Sequence, residues 1–189
     1  MAVDPSLYYR TISDADDYFT DQLYATDWSG AATADKDKAL LMATQAVDSL
    51  KFKGVKKSLY DALVTAGGTA GEPGEVLLAA TTLTDAEIKA ANDLQALQFP
   101  RDQETADTVP DDVFYAVCEE AKELLAGRDP DQEFRNLVLT SDGVGSNRVS
   151  SDRSQMPPEH SSHFFTSPKA FKYLKRYLTP ANSFNIRRV

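Results

Sequence analysis

The chain has 189 residues, with 29 acidic and 20 basic side chains and a formal net charge of −9. Its single cysteine excludes an internal disulfide bond, and no stretch approaches the roughly 18 to 20 apolar residues of a membrane-spanning helix. The N-terminus has no basic region followed by an apolar run, so we expect a soluble protein without a signal peptide.

The first predicted helix covers residues near 13–24. Ser13 followed by Asp16 is a variant of the capping box, and acidic residues in the first turn suit the helix dipole. The apolar residues of this helix recur at helical spacing and form one face, at Ala15, Phe19 and Leu23.

The second predicted helix covers residues near 35–50, and Gly54 closes the segment. Residues 65–83 follow after a short interval and begin with four Gly and one Pro in ten residues, which indicates a flexible insertion. The apolar face of the second helix is formed by Leu40, Ala43, Val47 and Leu50.

Two further helices are predicted, near residues 84–98 and 110–126. The first begins with Thr84 as N-cap and Glu87 at the third helical position, and it stops before Pro100. The second has Pro110 at its first position and Gly127 after its end.

A change of pattern follows the fourth helix. Residues 137–151 contain two short β-prone pieces around a Gly-containing turn, which indicates a hairpin, and residues 151–162 are polar and favour a linker. The predicted fold is mainly α: a bundle of about four helices with a small β-hairpin and an extended C-terminal arm carrying a short helix. Its parts are a helical bundle at 1–127, a hairpin and linker at 128–160, and a C-terminal docking arm at 161–189.

The residues that could carry chemistry favour simpler interpretations. Cys118 lies on an apolar helix face and is expected to be a buried hydrophobe, and His160 and His163 are two linker residues rather than a metal site. Adjacent carboxylates such as Glu119 and Glu120 point to different helix faces and are expected mostly in solvent. We find no catalytic or phosphate-binding motif, so we expect no enzyme, no cofactor and no metal site.

Asp48 and Arg101 form one candidate structural polar pair. Asp48 sits beside the apolar face of the second helix, and Arg101 follows the end of the third. The sequence leaves open both a surface arginine and a pairing inside the bundle, and a pairing would need further hydrogen bonds because a lone, partly buried charge is costly.

The C-terminal arm differs in charge from the rest of the chain. Residues 1–160 hold 14 basic and 29 acidic residues, whereas residues 161–189 hold six basic residues and no acidic one. Ser167 and Pro168 start a short amphipathic helix that would be marginal alone. Its apolar stripe could dock on its own body, or on a neighbouring subunit or another protein, and the polar linker favours docking in trans. The expected partner-binding residues are Phe164, Phe165, Phe171, Tyr173, Leu174, Tyr177, Leu178, Arg187 and Arg188.

The order of several pieces resembles a known family. "YYRTISDADDYF", "TDW", "KALLMATQAVDSLKFKG", "LQALQFPRD", "VPDDVFYAVCEEAKELL", "LTSDGVGSNRVS" and "YLKRYL" follow one another as in the head-to-tail connector (adaptor) proteins of tailed bacteriophages. Many members carry the name DnaT-like single-stranded-DNA-binding protein. The Gly-rich stretch at 65–83 departs from the compact pattern of the family.

The resemblance implies a structural virion protein at the head–tail interface, assembled in the host cytoplasm. Such proteins form a ring, commonly of twelve subunits, beneath the portal protein, extend the DNA channel and present a platform for tail or nozzle proteins. Its partners would be the portal, neighbouring subunits and tail proteins, with no membrane, and packaged DNA would pass without specific binding. The alternative is a single-stranded-DNA-binding protein that uses the aromatic and basic residues of the arm.

Overall fold

The computed structural model describes residues 4–67, 83–101, 108–128 and 167–179, together with the backbone of four short strands. These residues form a short 3₁₀ helix, Pro5–Leu7, and seven α-helices, so the predicted mainly helical class is confirmed. None of the helices within this part of the chain is long and apolar enough to cross a membrane. The helices are α1 (Ile12–Thr20), α2 (Thr26–Ser29), α3 (Thr33–Asp48), α4 (Lys57–Thr65), α5 (Asp85–Asp93), α6 (Asp111–Leu125) and α7 (Pro168–Leu174).

The fold is organised around α6. Helices α3 and α7 make the most extensive contacts with it, and α1 and α2 also touch it. From Val113 to Lys122 every residue of α6 is buried except the half-buried Tyr115, so this helix needs covering on all sides. Cys118 is fully buried on it, as the sequence predicts.

Helix α3 presents the apolar face that its sequence predicts. Leu40, Ala43 and Val47 have no exposed surface, and Leu50 packs against the same core just after the helix ends. Complete burial of a leucine or valine side chain stabilises the fold by about 1.5 to 3 kcal/mol. The contact of α3 with α6 is therefore a principal source of stability.

Helix α1 starts earlier than the sequence predicts. The hydroxyl of Thr11 accepts the N–H of Asp14 (3.3 Å), and the Asp14 carboxylate accepts the N–H of Thr11 (2.9 Å). The capping box assigned to Ser13 and Asp16 is therefore wrong by two residues. Asp16 instead accepts a hydrogen bond from the indole of Trp28 (2.7 Å).

The predicted C-terminal end of α1 is also wrong. The helix ends at Thr20, so Leu23 and Tyr24 are not part of an apolar helix face, and they are 90% and 82% exposed. Trp28 of α2 stacks on Phe19 with 4.8 Å between the ring centroids. The indole thus covers the end of the apolar face that Leu23 was expected to extend.

Helices α4 and α5 form a pair beside the core. Helix α5 begins with the predicted capping box of Thr84 and Glu87, but it ends at Asp93. It packs on α4, and Leu63 of α4 and Ala91 of α5 are buried. Neither residue belongs to the main hydrophobic cluster. The prediction that residues 84–98 complete the bundle is therefore wrong, and α7 takes that position.

The strands form two separate antiparallel pairs, and no residue of theirs is among the core residues that the structure describes. The predicted β-hairpin is not supported as a component of the fold, although two short strands pair in that part of the chain. The predicted linker at 151–162 and most of the insertion at 65–83 lie outside the described residues. The pairs are β1 (Thr69–Ala70) with β2 (Val76–Leu77), and β3 (Ser141–Val144) with β4 (Asn147–Ser150).

Candidate interaction site at the C-terminal segment

The C-terminal segment, residues 167–179, lies on the body of its own chain. Ser167 caps α7 by accepting the N–H of Ala170 (3.5 Å), and Pro168 occupies the first helical position, as predicted. Helix α7 packs along α6, and Ala170 and Leu174 are completely buried. Since a helix of this length is marginal alone, the contact with α6 is what stabilises it.

Two backbone hydrogen bonds join the chain after α7 to the chain after α3. The N–H of Lys53 donates to the carbonyl of Tyr177 (2.8 Å), and the N–H of Thr179 donates to the carbonyl of Lys51 (3.0 Å). Leu178 lies between these two bonds and is buried. The segment is thus fixed at both ends, by a helix contact and by a short strand-like pairing.

The ring of Tyr177 belongs to an aromatic cluster. It lies edge-on to Phe99, with 5.5 Å between the centroids, and Phe99 lies edge-on to Phe52 (4.8 Å) and to Tyr9 (6.3 Å). Aromatic pairs in this arrangement contribute about 0.5 to 1.5 kcal/mol beyond their buried area. The cluster connects the C-terminal segment to the N-terminal part of the chain.

Docking of the arm in trans, which the sequence favours, is therefore wrong for the residues that the structure describes. Three expected anchors, Leu174, Tyr177 and Leu178, are buried in their own chain, and Phe171 and Tyr173 are half-buried against the same core. The physical reason is that α6 needs covering on all sides, and it offers the segment both an apolar surface and the buried carboxylates of Glu119 and Glu120 in cis. The remaining arm residues, Phe164, Phe165, Arg187 and Arg188, lie outside the described residues.

A groove between α1, α6 and α7 is lined by tyrosines. Tyr173 lies edge-on to Tyr115 (5.8 Å between centroids), and Tyr115 stacks on Tyr18 (4.6 Å). Burial, with the hydrogen bond between Tyr18 and Tyr173 as the next cause, raises the pKa of the Tyr18 hydroxyl. The groove has a volume of about 490 Å³ and is bordered on its α1 side by Asp14, Asp17 and Asp21.

Two adjacent glutamates of α6 lie beneath α7, and the expectation that they face solvent is wrong. Glu120 is fully buried, and its carboxylate accepts the N–H of Ser167 at the start of α7 (2.9 Å). Glu119 is buried beside it. Buried carboxylates are tolerated only where hydrogen bonds or cations compensate for lost hydration.

Glu119 obtains this compensation from three elements. Its carboxylate accepts the hydroxyl of Tyr18 (2.9 Å) and forms ion pairs with Lys122 (2.7 Å) and Lys169 (3.5 Å). Burial alone would raise the pKa of Glu119, but the hydrogen bonds from Lys122 and Tyr18 and the two cations outweigh it, so the pKa lies below its usual value. The glutamate thus connects α1, α6 and α7.

Asp48 is the centre of a second buried polar contact. Its carboxylate accepts the hydroxyl of Tyr9 and the N–H of Gln98 (3.2 Å). Burial raises the pKa of Asp48, and these two hydrogen bonds oppose that rise. The Tyr9 hydroxyl in turn accepts the N–H of Phe99 (3.1 Å), so the contact joins the N-terminal chain, α3 and the chain after α5.

No ion pair joins Asp48 to Arg101 within the described residues, although the positive charge of Arg101 is among the causes that lower the pKa of Asp48. Within the described residues, the guanidinium donates to the carbonyls of Lys53 (2.8 Å) and Gly54 and to the side-chain oxygen of Gln98 (2.9 Å). Gln98 therefore bridges the two groups, since its N–H donates to Asp48. The reason is that the turn at residues 53–54 supplies carbonyl acceptors close to the guanidinium.

Comparison of the chain with protein-family models, with curated proteins and with solved structures gave no match. Within the described part of the chain, no group of three or more His, Cys, Asp or Glu side chains is placed to hold a metal ion. The distribution of buried and exposed residues is therefore the basis for a proposal about function.

Proposed function

We propose that the chain is a structural subunit of a tailed-bacteriophage head-to-tail adaptor. It forms a ring beneath the portal protein, extends the DNA channel and joins the capsid vertex to tail or nozzle proteins in the virion. The proposal draws on the family resemblance in the order of its sequence pieces. It is further supported by the use that the helical body makes of the C-terminal aromatic residues.

The observation that carries the proposal is the burial of those aromatic residues. The competing function, single-stranded-DNA binding, needs Tyr173 and Tyr177 as platforms on which bases stack. Tyr177 is only 6% exposed and packs on Phe99, while Tyr173 is half-buried against Tyr115. The aromatic side chains therefore support the body of the protein, which favours a role as a folded protein-binding unit.

The charges near the C-terminal segment support the same choice. Arg176 forms an ion pair with Asp112 (2.7 Å), and Lys169 forms one with Glu119 (3.5 Å). Cations that already have carboxylate partners contribute less to phosphate binding, because counterion release requires them to face the phosphates. An acidic body past which DNA slides without binding suits the adaptor role.

The connection between α1 and α2 supplies a candidate protein contact. Leu23 and Tyr24 are adjacent and almost fully exposed there. Tyrosine and other aromatic residues are enriched in protein interfaces, where their burial stabilises the complex. In an adaptor this connection would contact a neighbouring subunit or another component of the particle.

The test is electron microscopy of the purified chain mixed with the portal protein of the phage that encodes it. The proposal predicts a ring bound beneath the portal, with the subunit bodies resolved as helical density. Retention on single-stranded DNA that weakens steeply with salt, and disappears when Lys172, Lys175 and Arg176 are replaced by Ala, would support the alternative instead. A Lys38→Ala variant is the matched control, because Lys38 lies on α3 away from the segment.

A further inference from the structure

The two ends of α3 carry opposite charge. We define the acidic end as Asp17, Asp21 and Asp27 with the apolar pair Leu23 and Tyr24. These residues belong to the second half of α1, the α1–α2 connection and α2, and all five are exposed. Helix α2 leads directly into α3, so the acidic end lies at the N-terminal end of α3.

The cations near the acidic end are already paired. Lys36 forms an ion pair with Asp16 (2.7 Å), and Lys38 forms one with Asp35 (2.9 Å). Arg10, which borders the same groove as Asp17 and Asp21, forms an ion pair with Asp111. The three carboxylates of the acidic end have no cationic partner among the residues that the structure describes. Their negative charge is therefore not balanced locally.

The basic end lies beyond the C-terminus of α3. We define it as Lys51 and Lys53, both exposed, which backbone hydrogen bonds join to Thr179 and Tyr177 of the C-terminal segment. The Lys53 ammonium donates to the carbonyl of Arg176 (3.0 Å). Because a carbonyl carries no net charge, this contact does not balance the positive charge of Lys53. The nearest carboxylate of α3, Asp48, already accepts two hydrogen bonds.

The length of α3 separates the two ends. A helix of 16 residues is about 24 Å long, and the packing of α3 against α6 makes it a rigid spacer. Opposite charges on different surfaces of one chain can meet only between two copies or with another partner. Charge complementarity between the two surfaces favours a second copy as that partner.

We propose that the acidic end of one copy binds the basic end of the next. Leu23 and Tyr24 supply the apolar part of the contact, and the charges set its orientation. A contact between different surfaces of identical subunits is head-to-tail, and it closes into a ring when the rotation between subunits allows it. The inference rests on the proposed function, because it names the contact between neighbouring subunits of the ring.

Charge reversal in the full-length chain tests the contact. The variant Lys51→Glu/Lys53→Glu has two acidic ends, and the variant Asp21→Lys/Asp27→Lys has two basic ends. The self-association constant of each variant alone should fall at least about tenfold, because like charges that face each other cost more than 1.4 kcal/mol. Their equimolar mixture should regain it, since every contact in an alternating assembly is again between opposite charges.

Sedimentation velocity at low salt measures the assemblies, and the same variants are then examined by electron microscopy on the portal. The matched control, Lys89→Glu/Asp93→Lys, exchanges an exposed ion pair of α5 and should assemble like the original chain. Thermal melting monitored by circular dichroism checks that each variant folds. If a double variant fails to fold, the single variants Lys51→Glu and Asp21→Lys replace it.

Three outcomes overturn the inference: variants that assemble like the original chain, a mixture that assembles no better than its components, or assemblies no larger than a dimer. Rings on the portal that tolerate both charge reversals would leave the proposed function standing and reject only this contact. Charge-dependent assemblies that do not bind the portal would support the contact and reject the adaptor role.

Discussion

The body around α6 and the α4–α5 pair are held together in different ways. In the body, α3, α6 and α7 bury leucines, aromatic rings and the ion pair of Glu119 with Lys122. In the α4–α5 pair, burial is limited largely to Leu63 and Ala91, and the ion pair of Lys89 with Asp93 lies at the surface. Apolar side chains and ion pairs thus contribute differently to stability in the two regions, because they are more fully buried in the body than in the α4–α5 pair.

The largest expected effect comes from removing the C-terminal segment. A chain that ends after residue 166 should lose more than about 5 kcal/mol of unfolding free energy, measured by urea denaturation, because Leu174, Tyr177 and Leu178 leave the core together. A chain that ends after residue 179 keeps the docked segment and is the matched control, so it should be the more stable of the two. Equal stability of the two truncated chains would contradict docking in cis.

Two leucines at helix ends sharpen the comparison between the regions. Leu174→Ala at the end of α7 should cost about 2 to 5 kcal/mol, because the side chain is completely buried. Leu94→Ala, just after α5, should change stability by less than about 0.5 kcal/mol, because that side chain is 83% exposed. Both are measured by urea denaturation, and similar costs at the two sites would refute the assigned packing.

The contact around Asp48 should be of intermediate importance. Asp48→Ala should cost about 1 to 3 kcal/mol, because it leaves the Tyr9 hydroxyl and the Gln98 N–H without their acceptor. Asp48→Asn keeps an acceptor oxygen and should cost less. Urea denaturation of the single and double variants should show stronger coupling of Asp48 with Tyr9 than with Arg101. Stronger coupling of Asp48 with Arg101 than with Tyr9 would instead support a direct pair of Asp48 with Arg101.

Glu119 should make stability depend on pH. Its pKa in the folded chain is lowered, so its contribution is present above the unfolded value of about 4.3 and is lost as pH falls through the folded pKa. Glu119→Gln should therefore reduce the unfolding free energy at pH 7, and the reduction should become progressively smaller below about pH 4. A difference that stays constant with pH, or grows in acid, would show that the carboxylate has no such role.

The smallest effect is expected at the surface ion pair of α5. Lys89 and Asp93 approach to 2.5 Å, but both side chains are mostly exposed to solvent. Exposed pairs gain little because water screens the attraction and ordering the side chains costs entropy. Asp93→Asn should leave the melting temperature unchanged within error, and a clear decrease would mean that α5 is buried in an assembly.

Local signals in the sequence predict local structure well in this chain. The capping box of Thr84 and Glu87 and the apolar face of α3 depend on neighbouring residues, and both are confirmed. The predicted start of α1 is wrong because Thr11 and Asp14 form an equally good capping box two residues before the predicted one. The two possible capping boxes are of similar quality in the sequence. The choice between them depends on tertiary structure, in which Asp16 accepts a hydrogen bond from Trp28.

The candidate site depends on contacts between distant residues, which explains the errors there. The amphipathic pattern correctly indicated that α7 needs a surface, but it carries no information on which chain supplies it. The burial of Glu119 and Glu120 follows from the position of α7 over α6, because each glutamate finds its compensating partners there. Tyr9 was missed because it lies in irregular chain ahead of α1, where no periodicity marks buried residues.

Isotope-filtered nuclear Overhauser spectroscopy can show whether the C-terminal segment docks on its own chain or on a neighbouring one. The rings of Tyr115 and Tyr173 lie 5.8 Å apart between centroids, close enough for their protons to give a cross-peak. In a mixture of labelled and unlabelled chains, our account predicts a Tyr115–Tyr173 cross-peak within one chain and none between chains. A cross-peak found only between labelled and unlabelled chains would contradict the account.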